Sequence, residues 1–178
     1  MNTNQYIPAD HFDLIKRRMK PSDAAIVDLL RLTGFRVSDL LRVRNYQIDK
    51  VYISLYEQKT GKIRTIPTSQ AIRDAVRKYR RATFQEDPQN VLAYLFRSER
   101  GRKKDKRHLS RTTIYRRFEL ACYMAGLGDK GYSIHSLRKC YAVDLYERTG
   151  SLLEVQRDLG HESLATTCLY VFGSRATL

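Results

Sequence analysis

A chain of 178 residues, 42% of them hydrophobic, is long enough to fold as one domain around its own core. Its 33 lysines and arginines outnumber 19 acidic residues and give a formal net charge of +14, so the expected partner is a polyanion such as nucleic acid, although a basic scaffold such as a ribosomal protein has the same balance. The sequence has no apolar run of membrane length and no signal-peptide pattern, which argues against membrane and secreted proteins. Its cysteines are not paired, which argues against a zinc site. We therefore expect a soluble cytoplasmic protein with reduced thiols.

Helical spacing dominates the first third of the chain and gives way to strand spacing near residue 50. Helices are expected over 8–19, from Pro21 to the residue before Gly34, and onward from about Arg36. Apolar residues then alternate with polar ones over 51–55, and 63–66 can return antiparallel after a turn at Thr60-Gly61. The pattern predicts a β-hairpin with lysines at its tip.

The rest of the chain reads as helices around a charged loop. We expect a helix over 72–79, a short buried strand over 94–96, the loop over 97–107 and a helix over 114–125 stopped by Gly126. Three more helices follow, over 136–149, 152–159 and 164–172, the second opened by a capping box of Ser151 and Glu154. The expected fold is mainly α with a small antiparallel β-sheet (α+β), in one domain.

Four short segments carry side chains suited to attack on a phosphodiester, and two of them lie in the first half. Arg36 and Asp39 are three residues apart at a helix start, so the carboxylate can hold a guanidinium that binds phosphate oxygens; a surface ion pair is the alternative. At the hairpin tip, Lys59 or Lys62 can give a proton to a leaving alkoxide, unless these lysines are merely solvated.

The other two segments supply histidines, a second arginine and a tyrosine. His135 and Arg138 lie three residues apart between inward-facing apolar positions, where a histidine is often only a core residue. His161 lies between two helices, and Tyr170 follows it by nine residues. Any one of the twelve tyrosines is more often packing than nucleophile, so the order of the four segments matters more than any member.

In order and spacing, the segments TGFRVSDLL, EQKTGKIRTIP, IHSLRKCYA and LGHESLATTCLY resemble those of the tyrosine recombinases, or phage integrases, from about Ile7 onward. The resemblance implies the fold of that family's catalytic domain. Members of the family cut and rejoin DNA. It assigns Tyr170 as nucleophile, with Asp39 in place of the family's usual Glu as support for the first arginine. The remaining catalytic set is Arg36, Lys59 (with Lys62 as rival), His135, Arg138 and His161.

The same resemblance implies a 3′-phosphotyrosyl intermediate. An unperturbed tyrosine has a pKa of about 10, so arginines and a histidine around the phosphate must favour the phenolate, while Lys59 protonates the leaving 5′-oxygen. Because bond energy is conserved in the ester, neither ATP nor a metal ion is expected as a cofactor. The implied function is site-specific recombination, as in integration, excision, inversion or resolution of DNA, including that of mobile genetic elements.

Expected partners follow from the charge and the resemblance. Double-stranded DNA should be gripped through phosphates by a basic loop, unless that loop is only solvated; its residues are Arg97, Arg100, Arg102, Lys103, Lys104, Lys106, Arg107 and Arg111. We expect a monomer in solution, a homotetramer on DNA, possible accessory DNA-bending proteins and a nucleoid location. The family's N-terminal core-binding domain is expected to be missing from this chain.

Three other functions fit parts of the sequence. A type IB topoisomerase shares the chemistry but does not exchange strands between duplexes. A non-catalytic DNA-binding regulator could keep the fold without the activity. A basic RNA-binding protein is the most distant, because it would not need the four ordered segments.

Overall fold

Nine helices and one β-hairpin make up the regular structure in the described part of the chain, which in this computed structural model comprises residues 5–48, 50–84, 90–98 and 107–173. A short 3₁₀ turn, Gly128–Lys130, precedes the last three helices. The elements in chain order are α1 (Ala9–Arg17), α2 (Pro21–Thr33), α3 (Val37–Leu40), α4 (Asn45–Ile48), β1 (Tyr52–Glu57), β2 (Lys62–Pro67), α5 (Gln70–Ala82), α6 (Arg111–Met124), α7 (Ile134–Thr149), α8 (Leu152–Leu159) and α9 (Leu164–Phe172).

The hairpin confirms the expected change from helical to strand spacing. β1 and β2 pair antiparallel, in a register that runs from Tyr52 opposite Pro67 to Glu57 opposite Lys62. Side chains of β1 alternate between solvent and core, so Ile53, Leu55 and Glu57 face inward. Strand geometry therefore places a carboxylate on the buried face of the sheet.

Two groups of buried side chains hold the helices together. The larger group joins α2 with α5, α7 and the inner face of the hairpin, and it includes Leu29, Leu40 and Phe118. The smaller group joins α7, α8 and α9 through Leu145 and Val171 among others, and Tyr170 packs at its edge. No helix in the described residues has both the length and the apolar character needed to cross a bilayer.

Helix ends agree with expectation at α8 and α9 but differ at several other helices. α1 covers 9–17 of the expected 8–19, α5 covers 70–82 instead of 72–79, and α6 begins at 111 instead of 114. Ser69 and Ser110 cap the earlier starts of α5 and α6.

α7 begins at Ile134, two residues earlier than expected, because Ser133 and Ser136 form a reciprocal capping box there. At α8, Ser151 accepts from the Glu154 amide, but its own amide donates to Thr149 Oγ1 at 3.2 Å, so the expected reciprocal box is not formed.

The short strand expected over 94–96 is not formed as such. Tyr94 makes an isolated bridge to Arg44, and Arg97 makes another to His108, so the segment touches two different neighbours rather than one strand. Leu95 and Phe96 are nevertheless fully buried, which is what their apolar character predicted. The helix α4 and the 3₁₀ turn were not expected from the sequence.

One glycine at the end of α2 sets how closely α7 can approach. Gly34 has φ +60°, and a Cβ built on it would lie 2.3 Å from Cδ1 of Tyr141 on α7. Only a residue without a side chain tolerates both the backbone conformation and the contact.

Replacement of Gly34 by alanine should therefore destabilise the fold by about 2–5 kcal/mol, the sum of backbone strain and overpacking. The matched control is Gly126→Ala, because Gly126 has φ +74° but no atom within 4 Å of its built Cβ, so it should lose only about 1–2 kcal/mol. Urea unfolding measures both; equal losses would mean that the Tyr141 contact does not matter.

Candidate active site

Glu57 is the centre of a buried charge cluster that the sequence analysis did not identify. Glu57 is 2% exposed, and its two carboxylate oxygens form ion pairs with two arginines from different parts of the chain. Arg36 Nη1 donates to Oε2 at 2.7 Å, and Arg138 Nη1 lies 3.5 Å from Oε1. Burial alone would raise the pKa of Glu57, but Arg138, Arg36 and then Arg64 outweigh it and hold that pKa below its ordinary value. The carboxylate is therefore charged when it bridges the arginines.

Arg36 is positioned by the backbone that joins α2 to α3. It has extended dihedral angles at the N-terminal end of α3, where its carbonyl accepts from the amides of Asp39 and Leu40. Its side chain is 19% exposed, so one face of the guanidinium pairs with Glu57 while part remains open to solvent. An arginine held in this way keeps donors available for a phosphate.

Arg138 is the more deeply held of the two arginines. It projects from α7, and its guanidinium donates to the carbonyls of Gly34 and Leu159, the latter at 2.7 Å. Burial lowers its pKa to about 10, helped by the charges of Arg36 and Arg64. It thus ties the ends of α2 and α8 to α7 and still carries a positive charge at neutral pH.

A second ion pair supports the first from the β2 side. Arg64 Nη2 donates to the Thr33 carbonyl at 2.8 Å and to Asp158 Oδ2 at 2.5 Å. Its guanidinium also lies over the rings of Phe35 and Tyr141, at 4.7 and 5.3 Å from their centroids. β2 is thereby attached to both α2 and α8, whose ends supply the Arg138 contacts.

Asp39 does not hold Arg36 in the way the helical spacing indicated. Its Oδ1 accepts from the Gln58 amide at 3.4 Å and from Ser38 Oγ at 3.4 Å, and Glu57 takes the place expected for it beside Arg36. Burial raises the pKa of Asp39, against the effect of the Gln58 amide. Its side chain therefore links α3 to the hairpin turn rather than to the guanidinium.

His161 and Tyr170 lie together at the junction of α8 and α9. Their rings meet edge to face, with centroids 5.2 Å apart at 74°, and His161 Nδ1 hydrogen-bonds with Thr167 Oγ1 at 3.0 Å. Burial, followed by Arg138 and Arg36, lowers the pKa of His161 to about 4, so this histidine is neutral at neutral pH. Burial raises the pKa of Tyr170, whereas Arg138 and Arg36 act to lower it.

His135 is exposed and lies near the same two arginines. It lies in the first turn of α7, one turn before Arg138, and its Nε2 is hydrogen-bonded to the hydroxyl of Tyr115 on α6. Desolvation lowers the pKa of His135, and Arg111, Arg138 and Arg36 lower it further. His135 was expected from the sequence but Tyr115 was not, because nothing in local spacing relates α6 to α7.

Lys59 lies in the exposed turn between β1 and β2, as expected. Its charge contributes, after burial, Arg138 and Arg36, to the lowering of the pKa of His161. Lys62, the first residue of β2, instead lines a neighbouring groove of about 690 Å³ between β2, α7 and α8. That groove has Glu57 at its inner end but no tyrosine or histidine of the proposed catalytic set.

Only the two ends of the basic loop and Arg111 lie within the described residues. The amide of Ser98 donates to the Arg107 carbonyl at 2.8 Å, so the residues flanking the loop are held together next to the Arg97–His108 bridge. Arg111 opens α6 and lies 6.0 Å from the centroid of the Tyr115 ring. The remaining members of the expected DNA grip lie outside the described residues: Arg100, Arg102, Lys103, Lys104 and Lys106.

Two other tyrosines near the site serve packing. Burial raises the pKa of Tyr141 to about 12, and its ring lies between Gly34 and Arg64. Tyr146 packs edge to face against Phe172 with centroids 5.2 Å apart. Tyr170, unlike these two, lies beside a histidine and within the field of both arginines.

Comparisons with known proteins agree on one family. A model of the phage integrase family matches residues 9–174. Tyrosine recombinase XerA of Pyrococcus furiosus is 34% identical over 153 residues, which cover 85% of this chain and 50% of the relative. The crystal structure of XerA recombinase aligns with a TM-score of 0.74 at 25% identity, over 95% of this chain and 60% of that one.

The fold is also similar to lambda integrase. Its dimer bound to a COC′ core site aligns with a TM-score of 0.74 at 23% identity, over 99% of this chain and 62% of the other. Its tetramer bound to a Holliday junction aligns with a TM-score of 0.71 at 23% identity, over 94% and 48%. This chain spans about half the length of the curated relatives it matches.

The Glu57 bridge predicts a pH-dependent loss of stability. Glu57→Gln should lower the free energy of unfolding at neutral pH by about 3–5 kcal/mol, because the buried guanidinium of Arg138 and the partly buried one of Arg36 lose their counterion. Since the folded pKa lies below the ordinary value of about 4.3, the contribution is fully present above that value and is lost as the pH falls toward the folded pKa.

Urea unfolding at neutral pH and at successively lower pH measures this difference. The wild-type advantage should shrink on acidification, whereas Glu119→Gln, an exposed change on α6, should alter stability by less than about 0.5 kcal/mol throughout. An advantage that does not change with pH would show that the Glu57 charge is not its source.

Proposed function

The chain belongs to the phage integrase family, the tyrosine recombinases, and on that premise we propose that it cleaves and rejoins DNA strands through a 3′-phosphotyrosyl intermediate on Tyr170. One observation carries the proposal: a single carboxylate, Glu57, holds Arg36 and Arg138 together beside the His161–Tyr170 pair. Structural packing alone does not require two arginines, a histidine and a tyrosine to converge on one partly open cleft.

The proposed reaction begins with the Tyr170 hydroxyl oxygen attacking the phosphorus. The phenolic proton passes to water or to His135, the bond from phosphorus to the 5′-oxygen breaks, and that oxygen departs with a proton from Lys59. Arg36, Arg138 and His161 would stabilise the extra negative charge on the non-bridging oxygens. His135 would assist, either in proton transfer or by binding a phosphate oxygen.

The two arginines also answer the question of how a buried tyrosine becomes a nucleophile. Without DNA the pKa of Tyr170 is raised, so its hydroxyl stays protonated and unreactive. The charges of Arg138 and Arg36 favour the phenolate. A bound phosphate would place the phosphorus that the phenolate attacks next to these two arginines. Reaction in the opposite direction needs only a 5′-hydroxyl, on the same strand or another, with no external energy source.

Partners follow from the same proposal. We propose double-stranded DNA as the substrate and a homotetramer as the DNA-bound form, with a monomer free in solution; the lambda integrase structures on a core site and on a Holliday junction support the first two points. The basic loop would grip phosphates without reading sequence, with accessory DNA-bending proteins as further partners. Work on DNA would place the protein in the cytoplasm, at the nucleoid.

The nucleophile can be identified by trapping. On a nicked substrate that carries candidate sites, the wild type should form an adduct that survives SDS, and Tyr170→Phe should abolish it while DNA binding is kept. Tyr146→Phe is the matched control, because it keeps the ring that packs on Phe172 and should form the adduct normally. An adduct formed by Tyr170→Phe would remove Tyr170 from this role.

The general acid can be identified by rescue. Lys59→Ala should cleave ordinary DNA at least about 100-fold more slowly, since general acid catalysis contributes about that much or more. It should recover when the bridging 5′-oxygen is replaced by sulfur, because a thiolate leaves without a proton. Arg36→Ala and Arg138→Ala should not recover, since they act on non-bridging oxygens.

Lys62→Ala is the control in the same hairpin and should resemble the wild type on both substrates. Loss of folding cannot mimic this result, because a misfolded enzyme would not be rescued by one sulfur atom. Rescue of Lys62→Ala instead of Lys59→Ala would transfer the role to Lys62.

A further inference from the structure

Tyr115 makes the one side-chain hydrogen bond of His135 among the described residues. Its hydroxyl hydrogen-bonds with Nε2, and the two rings meet edge to face with centroids 5.4 Å apart at 73°. The contact joins the second turn of α6 to the first turn of α7, two helices that are separated in sequence by the 3₁₀ turn. The imidazole ring is therefore fixed from outside its own helix.

The direction of that hydrogen bond follows from the acidity of the two groups. A phenol is a much stronger acid than a neutral imidazole N–H, and an imidazole nitrogen is a much stronger base than a phenol oxygen. Burial raises the pKa of Tyr115, so its hydroxyl keeps its proton at neutral pH. The favoured arrangement has the Tyr115 hydroxyl donating and Nε2 accepting.

His135 is neutral under the same conditions. Desolvation lowers its pKa, and three positive charges face it from three segments: Arg111 on α6, Arg138 on α7 and Arg36 before α3. A neutral imidazole carries one proton, and the partner of one nitrogen decides which nitrogen holds it. With Nε2 accepting, the proton must be on Nδ1, to which no described residue is bonded.

We propose that Tyr115 is a positioning residue for His135, whose tautomer it fixes so that Nδ1–H donates to an oxygen of the scissile phosphate. A phosphodiester offers only acceptors, so the opposite tautomer would present it with a lone pair and repel it. This inference rests on the proposed function and narrows it, because it assigns His135 to phosphate binding rather than to removal of the Tyr170 proton.

The first test reads the tautomer directly and needs no DNA. Long-range ¹H–¹⁵N correlation spectra of the four histidines, with His135 assigned through a His135→Gln variant, should show His135 as the Nδ1–H form in the wild type. In Tyr115→Phe, which keeps the ring contact but removes the hydroxyl, the signal should move toward the Nε2–H form. The proposal would be overturned if His135 of the wild type were in the Nε2–H form. It would also be overturned if the spectrum of Tyr115→Phe were identical to that of the wild type.

The second test measures adduct formation with the nicked substrate. Tyr115→Phe should react about five- to tenfold more slowly than wild type above the pKa of His135, the effect of one lost hydrogen bond. The ratio of the two rates should approach one as the pH falls through that pKa, because a protonated imidazole carries hydrogen on both nitrogens. A ratio that stays constant with pH would indicate a merely structural role.

Tyr123→Phe is the matched control for both tests. It removes the same hydroxyl from the same helix, but Tyr123 is 77% exposed, so neither the tautomer nor the rate should change. The two proposals fail separately: a wild type that never forms the adduct would overturn the function, whereas the spectra decide the effect of Tyr115 without any DNA cleavage.

Discussion

The Glu57 carboxylate is the interaction on which the candidate site depends, because it binds two guanidinium groups that would otherwise repel each other. Arg36 reaches it from the segment between α2 and α3, and Arg138 reaches it from α7. Two arginines that contact the same carboxylate lie close together, and their charges are tolerable there only because the counterion lies between them. The carboxylate thus makes it possible to concentrate positive charge where a phosphate would bind.

Around this bridge, each support also joins helices that carry site residues. Arg138 holds the carbonyls at the ends of α2 and α8, and Arg64 links the same two helices through Thr33 and Asp158. The site is therefore built from helix ends, whose last carbonyls have no partner within their own helix. Placing arginine donors on these carbonyls satisfies them and fixes the arginines in the same contacts.

The electrostatic state of the DNA-free site fits the resting state of the proposed enzyme. Both histidines have lowered pKa values and Tyr170 has a raised one, so all three are neutral near physiological pH while the arginines stay charged. Glu57 balances only one of the two arginine charges, and a phosphate would balance the remaining positive charge. The site needs little reorganisation when charge develops on a phosphate, because its donors are already held in position.

The sequence by itself determined most of the elements, apart from α4, the 3₁₀ turn and the absence of a strand over 94–96, and most of the residues that the site brings together. Alternation over 51–55 located β1, and the same alternation, extended by one step to Glu57, would have shown a carboxylate on the buried face. What only the tertiary structure decided is which groups meet: Glu57 rather than Asp39 binds Arg36, and Tyr115 binds His135. Local spacing fixes which side chains share a face of one helix or strand, because those distances follow from backbone geometry alone. Contacts between segments far apart in the chain depend instead on how the whole core packs.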